Sequence, residues 1–404
     1  MRNLLILILS LACGPALADP VTAWTRLADK AAFGAANWRT LVIMHQAMHD
    51  AWNAADPHYA RWFPPAAGEP PTAGAKPEAA MAAAARRVLL SLNGDVAPEI
   101  EAEYAHTPQD PAGRALGDAI GAAAVARRNG DGYERRHPFA DGNGTGRWKP
   151  APSEFSTSNT TETRPFLFAA VADNPAIPPP PLDSQLFRDS MAETLRLGGG
   201  DSGERTGLQT DAAFFWAYQS SQRGFVILAA ALLEAHPRQG GLAEHAAIMA
   251  KVTAAMADSA ILIWFEKERF NFIRPIWAIQ QMVPGEADWQ PLIATPPHPE
   301  YPSGHASDCY TGAYTLQAAM PDLREPITYV VQLGEPPSDN VGMGQHAQAR
   351  AQAKAARRTF ATLLDAAEEC ANSRIWAGAH FRPANEESRR VARMIAARAA
   401  AALP

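Results

Sequence analysis

The stretch "LAEHAAIMAKVTAAMADSAILIWFEKERFNFIRP" (residues 242–275) decides the class of this protein. Through Phe270 it is alanine, leucine, isoleucine and methionine with scattered charges, and neither glycine nor proline interrupts it. Such composition and spacing predict a long helix over 242–270. Pro275 then restricts Arg274 and ends or kinks that helix.

Working outward, the same helical pattern recurs at 33–55, 78–92, 111–130, 184–199 and 210–236. Beyond the prolines near 291–302 it recurs from 303, around 347–371 and around 385–402. Small residues run through 111–130, which lets that helix approach its neighbours closely. The best strand candidate is "ITYVVQL" (327–333), and strands alternating with helices are absent. The predicted class is therefore all-α, as two packed helical bundles. Residues 137–182, rich in Pro, Gly, Asn, Ser and Thr, read as a connecting loop. It joins an N-terminal helical region (19–136) to a larger bundle (183–404).

The chain has 404 residues, 47% of them hydrophobic, which suffices for a sizeable core. A net charge of −6 argues against a nucleic-acid partner. "MRNLLILILSLACGPALADP" opens with Arg2, continues with an apolar run too short to span a bilayer, and offers "ALA" before Asp19. It reads as a signal peptide over 1–18, which places the mature protein in the periplasm or outside the cell. No later segment is an uninterrupted apolar run of the ~18 residues a span needs, so no membrane span is expected. Of three cysteines, Cys13 would leave with the leader. Cys309 and Cys370 are either bridged or two free buried thiols, and the sequence leaves both open.

Two patterns mimic known ligand loops. "GGGDSG" (198–203) fits a dinucleotide fingerprint but follows a helix, so it reads as a loop after a helix end. "DGNGTG" (141–146) begins like a calcium loop, but Pro152 stands where the bidentate glutamate belongs. His45 and His49 have metal-binding spacing with Gln46 between them, and read as a packed, hydrogen-bonded pair.

Three segments concentrate donors. In "KERFNFIRP", Lys267 and Arg274 stand seven residues apart, so both are expected on one helix face amid aromatic residues. In "HPEYPSGHASDCY" (298–310), Pro302 fixes the approach, Ser303 caps a helix, and the N–H groups of Gly304 and His305 point outward with the positive helix end. In "SRIWAGAHF", Arg374 and His380 fall on different helix faces and converge only if Gly378 bends the chain. Together these form an oxyanion cage with no obvious carboxylate in the motifs, suited to a tetrahedral dianion such as phosphate or vanadate.

The order Lys267-x6-Arg274-Pro275, Pro302-Ser303-Gly304-His305, Ser373-Arg374-x5-His380 resembles the three-part signature of the type 2 phosphatidic acid phosphatase and vanadium-dependent haloperoxidase superfamily. "MHQAMHDAWNAADPHYARW" and "RTGLQTDAAFFWAY" are similar to its secreted bacterial haloperoxidase-like branch. The resemblance implies an all-helical fold with the anion in a bundle core. It implies His380 as the residue bonded to the anion centre, vanadium in a peroxidase and phosphorus in a phosphatase. His305 would be the acid–base group. Lys267, Arg274, Arg374, Ser303 and Gly304 would hold the equatorial oxygens. His298 falls where histidine resembles bromoperoxidases and an aromatic carbon ring resembles chloroperoxidases. The expectation is a vanadate-dependent haloperoxidase using hydrogen peroxide, bromide or iodide, and a small organic acceptor, with phosphate as competing anion. The alternatives are a secreted acid phosphatase acting on phosphate monoesters through phosphohistidine, and a non-catalytic periplasmic oxyanion-binding protein. The carboxylate partner of Arg374 is not identifiable from spacing.

Overall fold

A computed structural model describes residues 19–31, 37–135, 137–142, 144–150, 157–158, 161–173, 175–218, 220–330 and 357–402. The leader assigned to 1–18 lies outside the described residues, as do 331–356.

Helices dominate, as expected. The N-terminal region holds α1 (Pro20–Ala31), α2 (Asn37–Ala55), α3 (Pro77–Leu92), α4 (Ala97–Ala105) and α5 (Pro111–Arg127). The larger bundle holds α6 (Gln185–Gly198), α7 (Gly207–Ala217), α8 (Ser221–Ala235), α9 (Gly241–Phe270), α10 (Pro275–Met282), α11 (Gly304–Ala319), α12 (Leu363–Trp376) and α13 (Arg382–Ala402). The described strands are two short antiparallel pairs. One joins β1 (His137–Pro138) to β2 (Thr157–Ser158), the other β3 (Ile327–Val330) to β4 (Arg357–Phe360).

The small residues of α5 bring it against α3 as the sequence suggested. A methyl on Gly117 would lie 2.1 Å from the Ala80 carbonyl oxygen, so only glycine permits this approach. One apolar core then runs through both bundles, from Met48 and Leu89 to Phe225, Met249 and Leu316. Helix α9 is its axis. By length and composition it could cross a membrane, but 94% of its apolar window is buried within the fold.

Two predicted helices are corrected. The run 210–236 is two helices, because Ser220 caps α8 by accepting the Arg223 N–H at 3.5 Å. Of the helix expected around 347–371, residues 347–356 lie outside the described residues, and within the described part α12 starts at Leu363, where Thr362 and Asp365 form a capping box. Arg357–Phe360 is instead β4, held by pairing with β3 and a Thr328–Thr359 hydroxyl contact of 2.9 Å. A partner some thirty residues away sets that conformation, and local helical pattern does not reveal it.

The connecting loop is strapped down by buried carboxylates. Asp258 on α9 accepts the N–H groups of Phe166 and Leu167, both at 2.7 Å. Glu266 accepts from Ala176 and Glu387 on α13 from Ile177, both at 2.8 Å. Farther upstream, Trp148 N–H donates to the Asn271 carbonyl and Ile273 N–H to that of Gly146, each at 3.0 Å. The loop thereby braces the turn leaving α9. His45 and His49 are buried and bonded to Thr25 and the Ala60 carbonyl, at 3.2 and 3.0 Å. Burial lowers them to about 3 and about 4, so both are neutral packing groups.

Candidate active site

Helix α9 ends at Phe270, with Asn271 in the left-handed region at φ 44°. Lys267 and Arg274 therefore do not share a helix face, which corrects the spacing argument. The chain turns between them, and Arg274 becomes the residue preceding α10, whose first position is Pro275. Both side chains are nonetheless fully buried at one place.

The Lys267 ammonium donates to three backbone carbonyls, of Pro299 (2.8 Å), Glu300 (2.9 Å) and Pro302 (2.5 Å). It thus shapes the segment leading into α11. Ser303 follows as the N-cap, its hydroxyl oxygen accepting the Ala306 N–H at 3.4 Å and leaving the hydroxyl proton to donate. The Tyr301–Pro302 peptide is cis. A Cβ on Gly304 would meet nothing within 4 Å, so space lies open beside the first turn of α11.

Arg274 spreads its donors around the cage. Its Nε donates to the His298 carbonyl (2.8 Å) and Nη2 to His298 Nδ1 (2.8 Å). Its Nη1 serves the Ala379 carbonyl (2.7 Å) and His380 Nε2 (3.1 Å). The third segment bends as predicted. Gly378 has φ 72°, and the N–H groups of Ala379 and His380 both return to the Arg374 carbonyl, at 3.0 and 3.2 Å. His380 is thereby swung back toward Arg274, while Arg374 lies fully buried beside them.

All eight residues singled out in the sequence are accounted for. Lys267, Arg274, Ser303, Arg374 and His380 form a buried floor; His298, Gly304 and His305 are half-buried. The edge of Trp264 packs on His298, ring centroids 4.7 Å apart. Burial lowers Arg274 to about 9 and Arg374 to about 10. Lys267 is driven well below its ordinary value by burial and then by Arg274. His380 and His298 are likewise pushed well down, by burial first and then by these cations. An anion among these groups relieves their mutual repulsion.

Sequence reasoning missed two carboxylates. Glu300, fully buried inside the second motif itself, binds His380 Nδ1 at 3.0 Å. Asp308, one turn along α11 from His305, accepts from Ser221 (3.0 Å) and Ser259 (3.3 Å). Burial raises both to about 7. The motifs are thus not free of carboxylates. The available signal was a glutamate three positions before the helix cap, between a proline and a tyrosine.

Cys309 and Cys370 form a disulfide, Cα atoms 6.5 Å apart, which closes the alternative of two free thiols. It joins α11 one turn past His305 to α12 one turn before Arg374.

The donor set fits a vanadate or phosphate anion: three cationic side chains, a hydroxyl, a helix N-terminus with open space at Gly304, and a neutral imidazole. Among the described residues no group of three His, Cys, Asp or Glu side chains is arranged to hold a bare metal cation.

Residues 247–403 match the family model of the VCPO second helical-bundle domain. The vanadium chloroperoxidase of Curvularia inaequalis is 26% identical over 176 residues, spanning 36% of this chain but only 28% of that protein's length. A solved structure described as the first bacterial vanadium-dependent iodoperoxidase superposes with a TM-score of 0.73 at 20% identity, covering 94% of each chain. A holo-type bacterial vanadium-dependent chloroperoxidase gives 0.65 at 16% identity, covering 96% of this chain and 93% of that one. The donor cage, from Lys267 to His380, lies wholly within the residues that match the second helical-bundle domain, and the chain has the fold of the bacterial vanadium haloperoxidase structures.

Proposed function

We propose that this protein is an exported, vanadate-dependent haloperoxidase that oxidises halide with hydrogen peroxide, bromide or iodide ahead of chloride. One observation carries the reading. His380 Nε2 lies against Arg274 in a buried ring of three cations, beneath two half-buried histidines and the first turn of α11.

The likeness to haloperoxidase structures runs across both bundles, not only the motif-bearing one, and this supports the peroxidase branch. His298 supports the heavier, more easily oxidised halides, because it sets an imidazole where a hydrocarbon ring would exclude polar contacts. The Cys309–Cys370 bridge supports an oxidising compartment, in accord with the leader.

When bound, vanadate supplies Lewis-acid activation of hydrogen peroxide toward two-electron oxidation of a halide. The chain supplies the surroundings. Arg274 and Arg374, with the Ser303 hydroxyl and the Gly304 N–H, would hold the oxyanion's oxygens and draw negative charge from them, while Lys267, its three protons given to the carbonyls of 299, 300 and 302, would contribute its positive charge. His380 Nε2 is the nitrogen offered to the central atom. His305, on the first turn of α11, is placed to take a proton from hydrogen peroxide and return one as water departs. The sum is hydrogen peroxide, halide and a proton giving hypohalous acid and water. His298, held by Arg274, narrows the approach.

Purified protein freed of phosphate is divided, and orthovanadate is added to one half. Bromination or iodination that needs both peroxide and vanadate supports the proposal. Hydrolysis of an aryl phosphate, inhibited by vanadate, would replace it with the acid phosphatase reading. Phosphate protection against heat without either turnover would leave an oxyanion-binding protein.

A further inference from the structure

Glu300 lies on the segment that Lys267 clasps, and its side chain is fully buried. Its Oε1 accepts two hydrogen bonds, from His380 Nδ1 (3.0 Å) and from the backbone N–H of Phe381 (2.9 Å). Its Oε2 makes no hydrogen bond among the described residues. On the other edge of the same imidazole, Arg274 Nη1 stands 3.1 Å from Nε2. A guanidinium only donates, so Nε2 must be the accepting nitrogen. The one proton of a neutral ring then sits on Nδ1 and points at Glu300. The tautomer follows from the partners on both edges.

We propose that Glu300 is the positioning residue of this site: it fixes His380 as the Nδ1–H tautomer and aims the Nε2 lone pair into the cage. Two bonds to one oxygen do this, one from the ring and one from the next backbone N–H, so both the imidazole and its chain segment are referenced to Glu300. When Nε2 shares its lone pair with an oxyanion's central atom, the ring becomes electron-poor. The carboxylate oxygen beside Nδ1 then stabilises it, as a buried acid does for the imidazole of a hydrolase triad. Glu300 makes its hydrogen bonds to His380 and the Phe381 N–H, and its charge also bears on Lys267 and Arg274. The inference rests on the proposed function solely for the identity of the anion.

The test uses full-length protein with nitrogen-labelled histidine and long-range proton–nitrogen correlation spectra, recorded with and without inorganic phosphate. His380→Asn assigns the resonance. The wild type is expected to show His380 protonated at Nδ1 and bare at Nε2. Glu300→Ala is expected to give mixed tautomers and a phosphate dissociation constant raised roughly 10–100-fold. Glu300→Gln keeps an accepting oxygen and is expected to restore the tautomer and part of the affinity. A wild-type His380 protonated at Nε2 overturns the proposal, even if Glu300→Ala fails to fold. So does a folded Glu300→Ala with wild-type tautomer and wild-type affinity. Wild-type protein that binds neither phosphate nor orthovanadate would instead defeat the cage, while the tautomer still judges Glu300 separately.

Discussion

Replacing both cysteines by alanine, as Cys309→Ala/Cys370→Ala, removes the one described covalent link between the helix of His305 and the helix of Arg374. The bridge spans a sequence separation of 61. Loop-closure entropy for that span is about 14 cal/mol/K, or about 4 kcal/mol near room temperature. Both sulfur atoms are fully buried, and their loss leaves a small cavity worth about 1 kcal/mol more. Unfolding entropy near 2.1 cal/mol/K per residue gives about 0.8 kcal/mol/K for a chain this long, so Tm should fall by about 6 °C. The assay is thermal and guanidinium unfolding of both proteins in non-reducing buffer, followed by phosphate titration of each. The Cys370 sulfur lies 3.6 Å from the His305 carbonyl, so phosphate binding should weaken along with stability. A variant that melts with the wild type, or free thiols in unfolded, unreduced wild-type protein, would refute the reasoning.

His380→Ala should abolish all turnover, and Lys267→Ala should weaken anion retention by freeing the three carbonyls it holds; phosphate calorimetry and halide oxidation check both. Asp258→Ala leaves the buried N–H groups of Phe166 and Leu167 without their acceptor, at about 1–3 kcal/mol each, and should lower the guanidinium midpoint accordingly. His45 is held near pKa about 3 when folded, against 6.5 in the unfolded chain. Below pH 6.5 the unfolded state therefore binds the extra proton, and stability is lost as pH falls toward the folded value, by up to about 1.4 kcal/mol per pH unit. His45→Gln should flatten that slope in denaturation curves taken at successive pH values; parallel curves for both proteins would show that His45 does not cause it.

The donors of the cage were legible residue by residue, because oxyanion chemistry admits few side chains and each carries a local signature. Ser303 after a proline marks a helix start whatever surrounds it. Gly378 marks a bend because only glycine takes φ 72° without strain between Arg374 and His380. The helices were legible from composition wherever a long uninterrupted run met a single cap. The run 210–236 was not, since a serine inside a helical pattern reads as surface until its hydroxyl is seen capping α8. β4 was not legible either, because the strand it pairs with, β3, lies some thirty residues away.

Local chemistry along the chain thus determined the all-α class, the three motifs and the kind of guest they suit. Tertiary structure alone decided how these parts are aimed. Lys267 and Arg274 meet through a left-handed turn at Asn271 rather than along a helix face. Lys267 spends its donors on the carbonyls of 299–302. Cys309 finds Cys370, and Glu300 finds His380 eighty positions away. A hydrogen bond or a disulfide between distant residues depends on where the backbone brings them, and sequence spacing carries no record of that distance.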